Sequence, residues 1–171
     1  MTPIQSLSAF HDLVGFLSFL EERGHLARIQ EPVSLVHEIT EIQRRVMMDK
    51  GPALLFEKPL DAEGNLSSIP VLVNLFGSKE RIEWGLGVGS GGLPALGGFL
   101  SELKEPEPPS SLRDAWKKLP HLRAALSLKL RQVSRAPCQE VIQTGKELDL
   151  AQLPIQTCWP GEPAPLVPGR W

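Results

Sequence analysis

Residues 51–76, Gly-Pro-Ala-Leu-Leu-Phe-Glu-Lys-Pro-Leu-Asp-Ala-Glu-Gly-Asn-Leu-Ser-Ser-Ile-Pro-Val-Leu-Val-Asn-Leu-Phe, carry the decision about the fold. Two runs rich in strand formers, Ala53–Phe56 and Ile69–Phe76, flank Asp61-Ala-Glu-Gly-Asn65, whose residue types suit a turn. Neither run alternates apolar with polar. Near-continuous apolarity predicts strands covered on both faces, and such strands need helices to cover them.

The flanking sequence supplies those helices. Ser8 to Arg23 reads as an amphipathic helix with Phe10, Leu13, Val14, Leu17 and Leu20 on its apolar stripe. Ser6 or Ser8 is the expected cap, and Gly24 the left-handed stop. Leu26 to Gln30 reads as extended. Ser34 opens a second helix with Ile39, Ile42, Val46 and Met47 on one face, ended by Gly51-Pro52. A third helix is expected from Lys79 to Leu86, started by Ser78. A fourth, Leu93 to Leu103, turns Leu96, Phe99, Leu100 and Leu103 inward. Helices alternating with buried strands predict an α/β layer.

Beyond it, Lys104-Glu-Pro-Glu-Pro-Pro-Ser110 reads as an extended spacer and marks an internal boundary. Ser111 caps a short helix with Leu112, Trp116 and Leu119 on one side; residues 121–130 read as helical and Cys138 to Gln143 as a strand. Leu153 to Pro165 then concentrates four prolines with Cys158 and Trp159. Proline excludes a helix or central strand there, while thiol and indole favour burial. That leaves an ordered closing segment laid over the domain, or the entry to a second domain.

Composition narrows the function classes. Hydrophobic residues make up 42% of the 171 and charged residues 22%, so the chain can bury a core. A net charge of −2 with no basic stripe gives no footprint for nucleic acid. No apolar run approaches the ~20 residues of a spanning helix, and the N-terminus lacks a signal-peptide pattern. Two cysteines, Cys138 and Cys158, suggest neither a disulfide framework nor a zinc site, so a cytoplasmic location is expected.

Candidate chemistry is sparse. Gly87, Gly89 and Gly92 form a formal G-x-G-x-x-G, which binds pyrophosphate when a strand precedes it and a helix follows. Here Lys79 to Trp84 looks helical, so a loop is the better reading. His11, His25, His37 and His121 show no metal-ligand spacing. His37 and Glu38 are adjacent and point to different helix faces, and His37 belongs to the first turn of helix two. Glu38 and Glu41 read as a solvated face beside Arg44 and Arg45. Cys158 has no cationic neighbour in sequence to activate it and reads as a packing residue. These readings assign no catalytic, cofactor-binding or metal-binding residue.

Seven segments in order nevertheless resemble one family. They are FLEERGHLARI (19–29), EPVSLVHEITEI (31–42), GPALLFEKP (51–59), PVLVNLFGSKERI (70–82), LKEPEPP (103–109), APCQEVIQTGKELDLAQLPI (136–155) and TCWPGEPAP (157–165). Together they resemble the N-terminal portion of the UbiD family, the 3-polyprenyl-4-hydroxybenzoate carboxy-lyases. The resemblance implies a small N-terminal α/β domain with flanking helices over residues 1–109. Residues 110–171 would then be a helical linker and the first strand or strands of a truncated split β-barrel that binds flavin.

For the full-length family the resemblance implies decarboxylation of an aromatic or unsaturated acid in ubiquinone biosynthesis. The cofactor would be prenylated FMN, supplied by the flavin prenyltransferase UbiX, with a divalent metal (Mn or Mg) and K on its phosphate. It also leaves room for homo-oligomers and for peripheral membrane association through a lipid-like substrate. The family's metal-binding Asn, His and Glu and its catalytic Arg-Glu-Glu set match no residue here, so these residues alone are expected to bind no cofactor and to be inactive. The family pattern breaks at Pro165-Leu-Val-Pro-Gly-Arg-Trp171, as expected of a truncation or frame-shift. A stand-alone interaction module with an exposed apolar face is the alternative, and a non-functional remnant the third.

Overall fold

The computed structural model describes residues 10–104, 132, 134, 136 and 139–161. The fold is mixed α/β. In chain order it comprises α1 (Leu13–Glu22), β1 (Leu26–Ile29), β2 (Val33–Ser34), α2 (Glu38–Met48), β3 (Ala53–Phe56), β4 (Pro59–Leu60), β5 (Val71–Val73), α3 (Lys79–Gly85) and α4 (Gly92–Lys104). Two single 3-10 turns follow, Gly145–Glu147 and Leu150–Gln152. The described residues fall into two compact units. One holds residues 12–82 and 143–161, the other residues 10–11, 83–104 and 132–142, so the boundary runs through α3.

In the first unit, β3 lies at the centre of a three-stranded sheet of order β1-β3-β5. It pairs parallel with β1, from Leu26 opposite Ala53 to Ile29 opposite Phe56. It pairs antiparallel with β5, from Leu54 opposite Val73 to Phe56 opposite Val71. All four β3 residues are buried, as an unbroken apolar run requires. A second, two-stranded sheet pairs β2 with β4 in parallel. Val33, Leu35, Ile39, Leu54, Phe56 and Val73 form the core, with Ile42 and Val46 of α2 packed against it.

Several elements start or stop elsewhere than the pattern predicts. The cap of α1 is Asp12, whose Oδ1 accepts the Gly15 N–H at 2.7 Å; Ser6 and Ser8 lie outside the described residues. The helix buries Phe16 and Leu20, whereas Leu13 and Val14 are exposed, so its stripe is rotated from the expected one. Gly24 does end it, at φ 71°.

Ser34 does not open α2. It is held in β2, where its Oγ accepts the Val36 N–H at 3.0 Å and its own N–H donates to Glu38 Oε2 at 2.8 Å. Those bonds keep Val33 and Leu35 in the core and defer the helix to Glu38.

The run from Ile69 to Phe76 yields only the three-residue β5. Asn74 takes φ 57° and turns the chain out of the sheet, leaving Phe76 exposed. The strand expected from Cys138 to Gln143 is absent over its described part, where Val141 and Ile142 are exposed; Cys138 lies outside the described residues.

In the second unit α4 opens at Gly92. Leu96 is half-buried but Leu100 is exposed, because periodicity marks a face without guaranteeing a partner for it. The side chains of Phe99 and Leu103, the spacer from Glu105, the expected helices over 111–130 and the tail from Pro165 lie outside the described residues.

Candidate functional site

A long-range return of the chain to the first unit's core occurs just after β2, at residues 35–37. Residues 143–161 form a strap whose two 3-10 turns are closed by local bonds such as Glu147 N–H to Thr144 O and Leu153 N–H to Leu150 O. Pro154 lies in the extended stretch after the second 3-10 turn, and Pro160 in the turn that follows Thr157. Thr157 then makes a parallel bridge with Val36. Its N–H donates to Leu35 O at 3.0 Å, and its carbonyl accepts the His37 N–H at 3.0 Å.

His37 reaches that carbonyl from a left-handed backbone, φ 68°, at the residue capping α2. It therefore stands before the first turn rather than within it, and its side chain is exposed.

The described strap is therefore ordered where it meets the first unit. Thr157 is hydrogen-bonded through its backbone, and the burial expected of Trp159 does not follow: the indole is 62% exposed. Cys158 is half-buried, and Leu148, Leu153 and Ile155 face outward.

A second polar cluster was not foreseen. In α3 the buried residues are the charged Arg81 and Glu83, while Ile82 and Trp84 are only half-buried. Arg81 donates to Leu75 O at 3.0 Å, Gly51 O at 3.1 Å and Asn74 O at 3.0 Å. Burial pulls its pKa below the ordinary guanidinium range. Asn74, also buried, donates from Nδ2 to Pro52 O at 2.7 Å. The signal in sequence was an arginine seven residues after an asparagine that can adopt a left-handed turn.

Glu83 accounts for the glycine loop. The loop carries Gly87 at φ 66° and Gly91 at φ 75° and leads into α4. The carboxylate of Glu83 accepts the Gly91 N–H at 2.9 Å. A helix, α3, precedes the glycines, and an internal anion already faces the amide that a phosphate would seek. The dinucleotide reading therefore fails on geometry.

Elsewhere, charged groups form surface pairs. Glu41 is bridged by Arg44 and Arg45, with Nε–O distances of 2.7 Å to each. Hydrogen bonds from those guanidiniums hold its pKa at about 2. Arg28 lies between Glu21 at 2.7 Å and Glu57 at 3.0 Å. His11 is exposed, His25 half-buried, and His121 lies outside the described residues. Among the described residues no group of three His, Cys, Asp or Glu side chains could hold a metal ion. Nor is any helix there long and apolar enough to cross a membrane.

The hook at Thr157 joins two stretches that match separate family models. Residues 17–97 match the 3-octaprenyl-4-hydroxybenzoate carboxy-lyase N-terminal domain. Residues 130–168 match the 3-octaprenyl-4-hydroxybenzoate carboxy-lyase Rift-related domain. Among solved structures, the chain is similar to an evolved dimeric form of the UbiD-class enzyme HmfF from Pelotomaculum thermopropionicum in complex with prFMN. Identity is 27%, over 60% of this chain and 21% of that one, with a TM-score of 0.43. HmfF from the same organism in complex with FMN also matches at 27% identity, over 57% of this chain and 20% of that one, with a TM-score of 0.43. The chain spans about a fifth of the length of these enzymes. With two of the family's domain models matched in order along its length, the chain belongs to the UbiD carboxy-lyase family and corresponds to its N-terminal portion.

Proposed function

We propose that this chain is the N-terminal scaffold of a prenylated-FMN-dependent decarboxylase. The carrying observation is the hook, in which the stretch matched to the Rift-related domain is hydrogen-bonded into the stretch matched to the N-terminal domain. In this reading residues 1–109 form the scaffold and residues 110–171 lead into a flavin-binding split β-barrel. The outward Leu148, Leu153, Ile155 and Trp159 offer that barrel an apolar contact face.

The reaction of the whole enzyme would be loss of carbon dioxide from 3-polyprenyl-4-hydroxybenzoate or a related aromatic or unsaturated acid in ubiquinone biosynthesis. A flavin prenyltransferase would supply the cofactor, in the cytoplasm, to an enzyme that is a homo-oligomer. Prenylated FMN would serve as electron sink, with a divalent metal and K on its phosphate. The described residues do not fit that metal, since they offer no cluster of three ligands. What they do is structural: they seat the strap and fix where it leaves the domain.

The test is to supply the purified 171-residue chain with prenylated FMN, manganese and potassium. We expect neither turnover nor retention of the cofactor's visible absorption after desalting. Either one would place catalytic machinery within this chain and overturn the scaffold reading.

A further inference from the structure

The last turn of α2 holds a sulfur in a fixed polar setting. Arg44 gives Nε and Nη2 to the two carboxylate oxygens of Glu41, at 2.7 and 2.8 Å, so a two-pronged ion pair sets the plane of its guanidinium. The remaining nitrogen, Nη1, donates to Sδ of Met48 at 3.3 Å, one helical turn further on. A thioether is a weak acceptor for such a donor. Met48 is also 69% exposed, and α2 packs on the core through Ile39, Ile42 and Val46 instead. The sulfur is therefore open to solutes, beside a cation and clear of the core.

We propose that Met48 is a site of reversible sulfoxidation by peroxide, with Arg44 as the receiver of the sulfoxide oxygen. Sulfur gives an electron pair to one oxygen of hydrogen peroxide, the O–O bond breaks, and the departing hydroxide takes the proton left on the new S–O group. Sulfur is oxidised by two electrons, peroxide is reduced, and the products are the sulfoxide and one water. Rotation about the terminal side-chain bonds presents the new oxygen to Nη1. A charge-assisted N–H···O bond then replaces a weak N–H···S bond. Oxidation of a core methionine disrupts apolar packing; here the added polar atom meets a donor already aimed at it. Oxidation thus fastens the last turn of α2, and methionine sulfoxide reductases reverse it. The site is a property of α2 and does not depend on the carboxy-lyase reading.

The test uses the full 171-residue chain carrying Met47→Leu, which leaves Met48 as the only methionine of α2, and the same chain with Arg44→Leu added. Each is treated with dilute hydrogen peroxide, and peptide mass mapping follows the oxygen added at Met48. Urea midpoints at constant slope are compared before and after oxidation. With Arg44 present, sulfoxidation should raise the folded-to-unfolded ratio about threefold, as suits a bond at an exposed site. Without Arg44 the ratio should stay level or fall, and sulfoxide reductase should return both proteins to their starting midpoints. Met1 is common to both proteins, so its oxidation cancels in the comparison. A Met48 that stays reduced while Met1 is oxidised would overturn the site, as would an equal response of the two proteins. Neither readout uses decarboxylation, so the oxidation site and the scaffold can fail separately.

Discussion

Arg81 and Asn74 clamp one turn from two directions. Nη2 of Arg81 donates to Asn74 O at 3.0 Å, while the Asn74 side chain donates to Pro52 O at 2.7 Å. Nη1 of Arg81 also reaches Gly51 O, at 3.1 Å. The two side chains thereby tie the turn that opens β3 to the turn that closes β5. Backbone groups that no strand or helix partner could satisfy receive charged or amide donors instead.

Removing that clamp should be costly. In Arg81→Met the aliphatic volume is kept, but Leu75 O loses its guanidinium donor, while Gly51 O keeps Asn74 Nδ2 at 3.4 Å and Asn74 O keeps the Gly77 N–H at 3.2 Å. At roughly 1–3 kcal/mol for the carbonyl left unsatisfied, with the other two weakened, the expected loss is about 2–3 kcal/mol. Arg81→Lys should recover only a minority of it, because an ammonium lacks the planar fork. Urea unfolding followed by circular dichroism gives the comparison, and a loss below about 1 kcal/mol for Arg81→Met would contradict this account.

Gly77→Ala probes the same site from a third side. A Cβ there would clash with Asn74 Oδ1 and meet Arg81 Nη2 at 3.0 Å. Asn74 cannot yield without giving up its bond to Pro52, so overpacking should cost about 2–3 kcal/mol. Gly97→Ala is the control: it lies inside α4 with nothing within 4 Å of its Cβ position. That change should be neutral or stabilise by up to about 1 kcal/mol. Similar destabilisation by both substitutions would show that the effect is not the contact with Asn74.

How much of this was legible follows from what each signal measures. Ala53–Phe56 read correctly because an unbroken apolar run has few uses except a covered strand. Gly24 read correctly because a left-handed stop favours that residue. Ile69–Phe76 was read too long, since hydropathy continues through Leu75 and Phe76 after the backbone has turned at Asn74. Trp159 was misplaced because residue type does not reveal which side chains of the strap face outward. Arg81 was missed for a related reason. Its partners are carbonyls, which leave no trace in the identity of the residues that carry them.

Glu41 predicts a pH dependence in acid. Its pKa falls from the ordinary 4.5 to about 2, through hydrogen bonds from Arg44 and then Arg45. A depressed folded pKa means the unfolded chain takes up the proton first. The stabilisation is therefore complete above about 4.5 and is lost as pH falls from there towards 2. Because the pair is exposed, the effect should be small and weakened by salt. The Tm of Glu41→Gln should lie slightly below the parent at pH 6 and converge with it near pH 2. A gap that persists unchanged at low pH would rule out these ion pairs as its cause.

His37 offers a stabilising change. Its backbone sits at φ 68°, a region that costs a side-chain-bearing residue about 1–2 kcal/mol and glycine little. The imidazole is exposed and makes no side-chain capping bond, whereas its N–H to Thr157 and its carbonyl to Glu41 N–H belong to the backbone. His37→Gly keeps both backbone bonds and removes the Cβ conflict. The larger flexibility of glycine when unfolded offsets part of the gain, leaving about 0.5–1 kcal/mol of net stabilisation. His37→Val should move the other way by a larger amount, since a β-branched residue tolerates positive φ least. Urea midpoints at constant slope decide between them. If glycine destabilised and valine were neutral, the left-handed turn at the head of α2 would not be the strained element that this geometry describes.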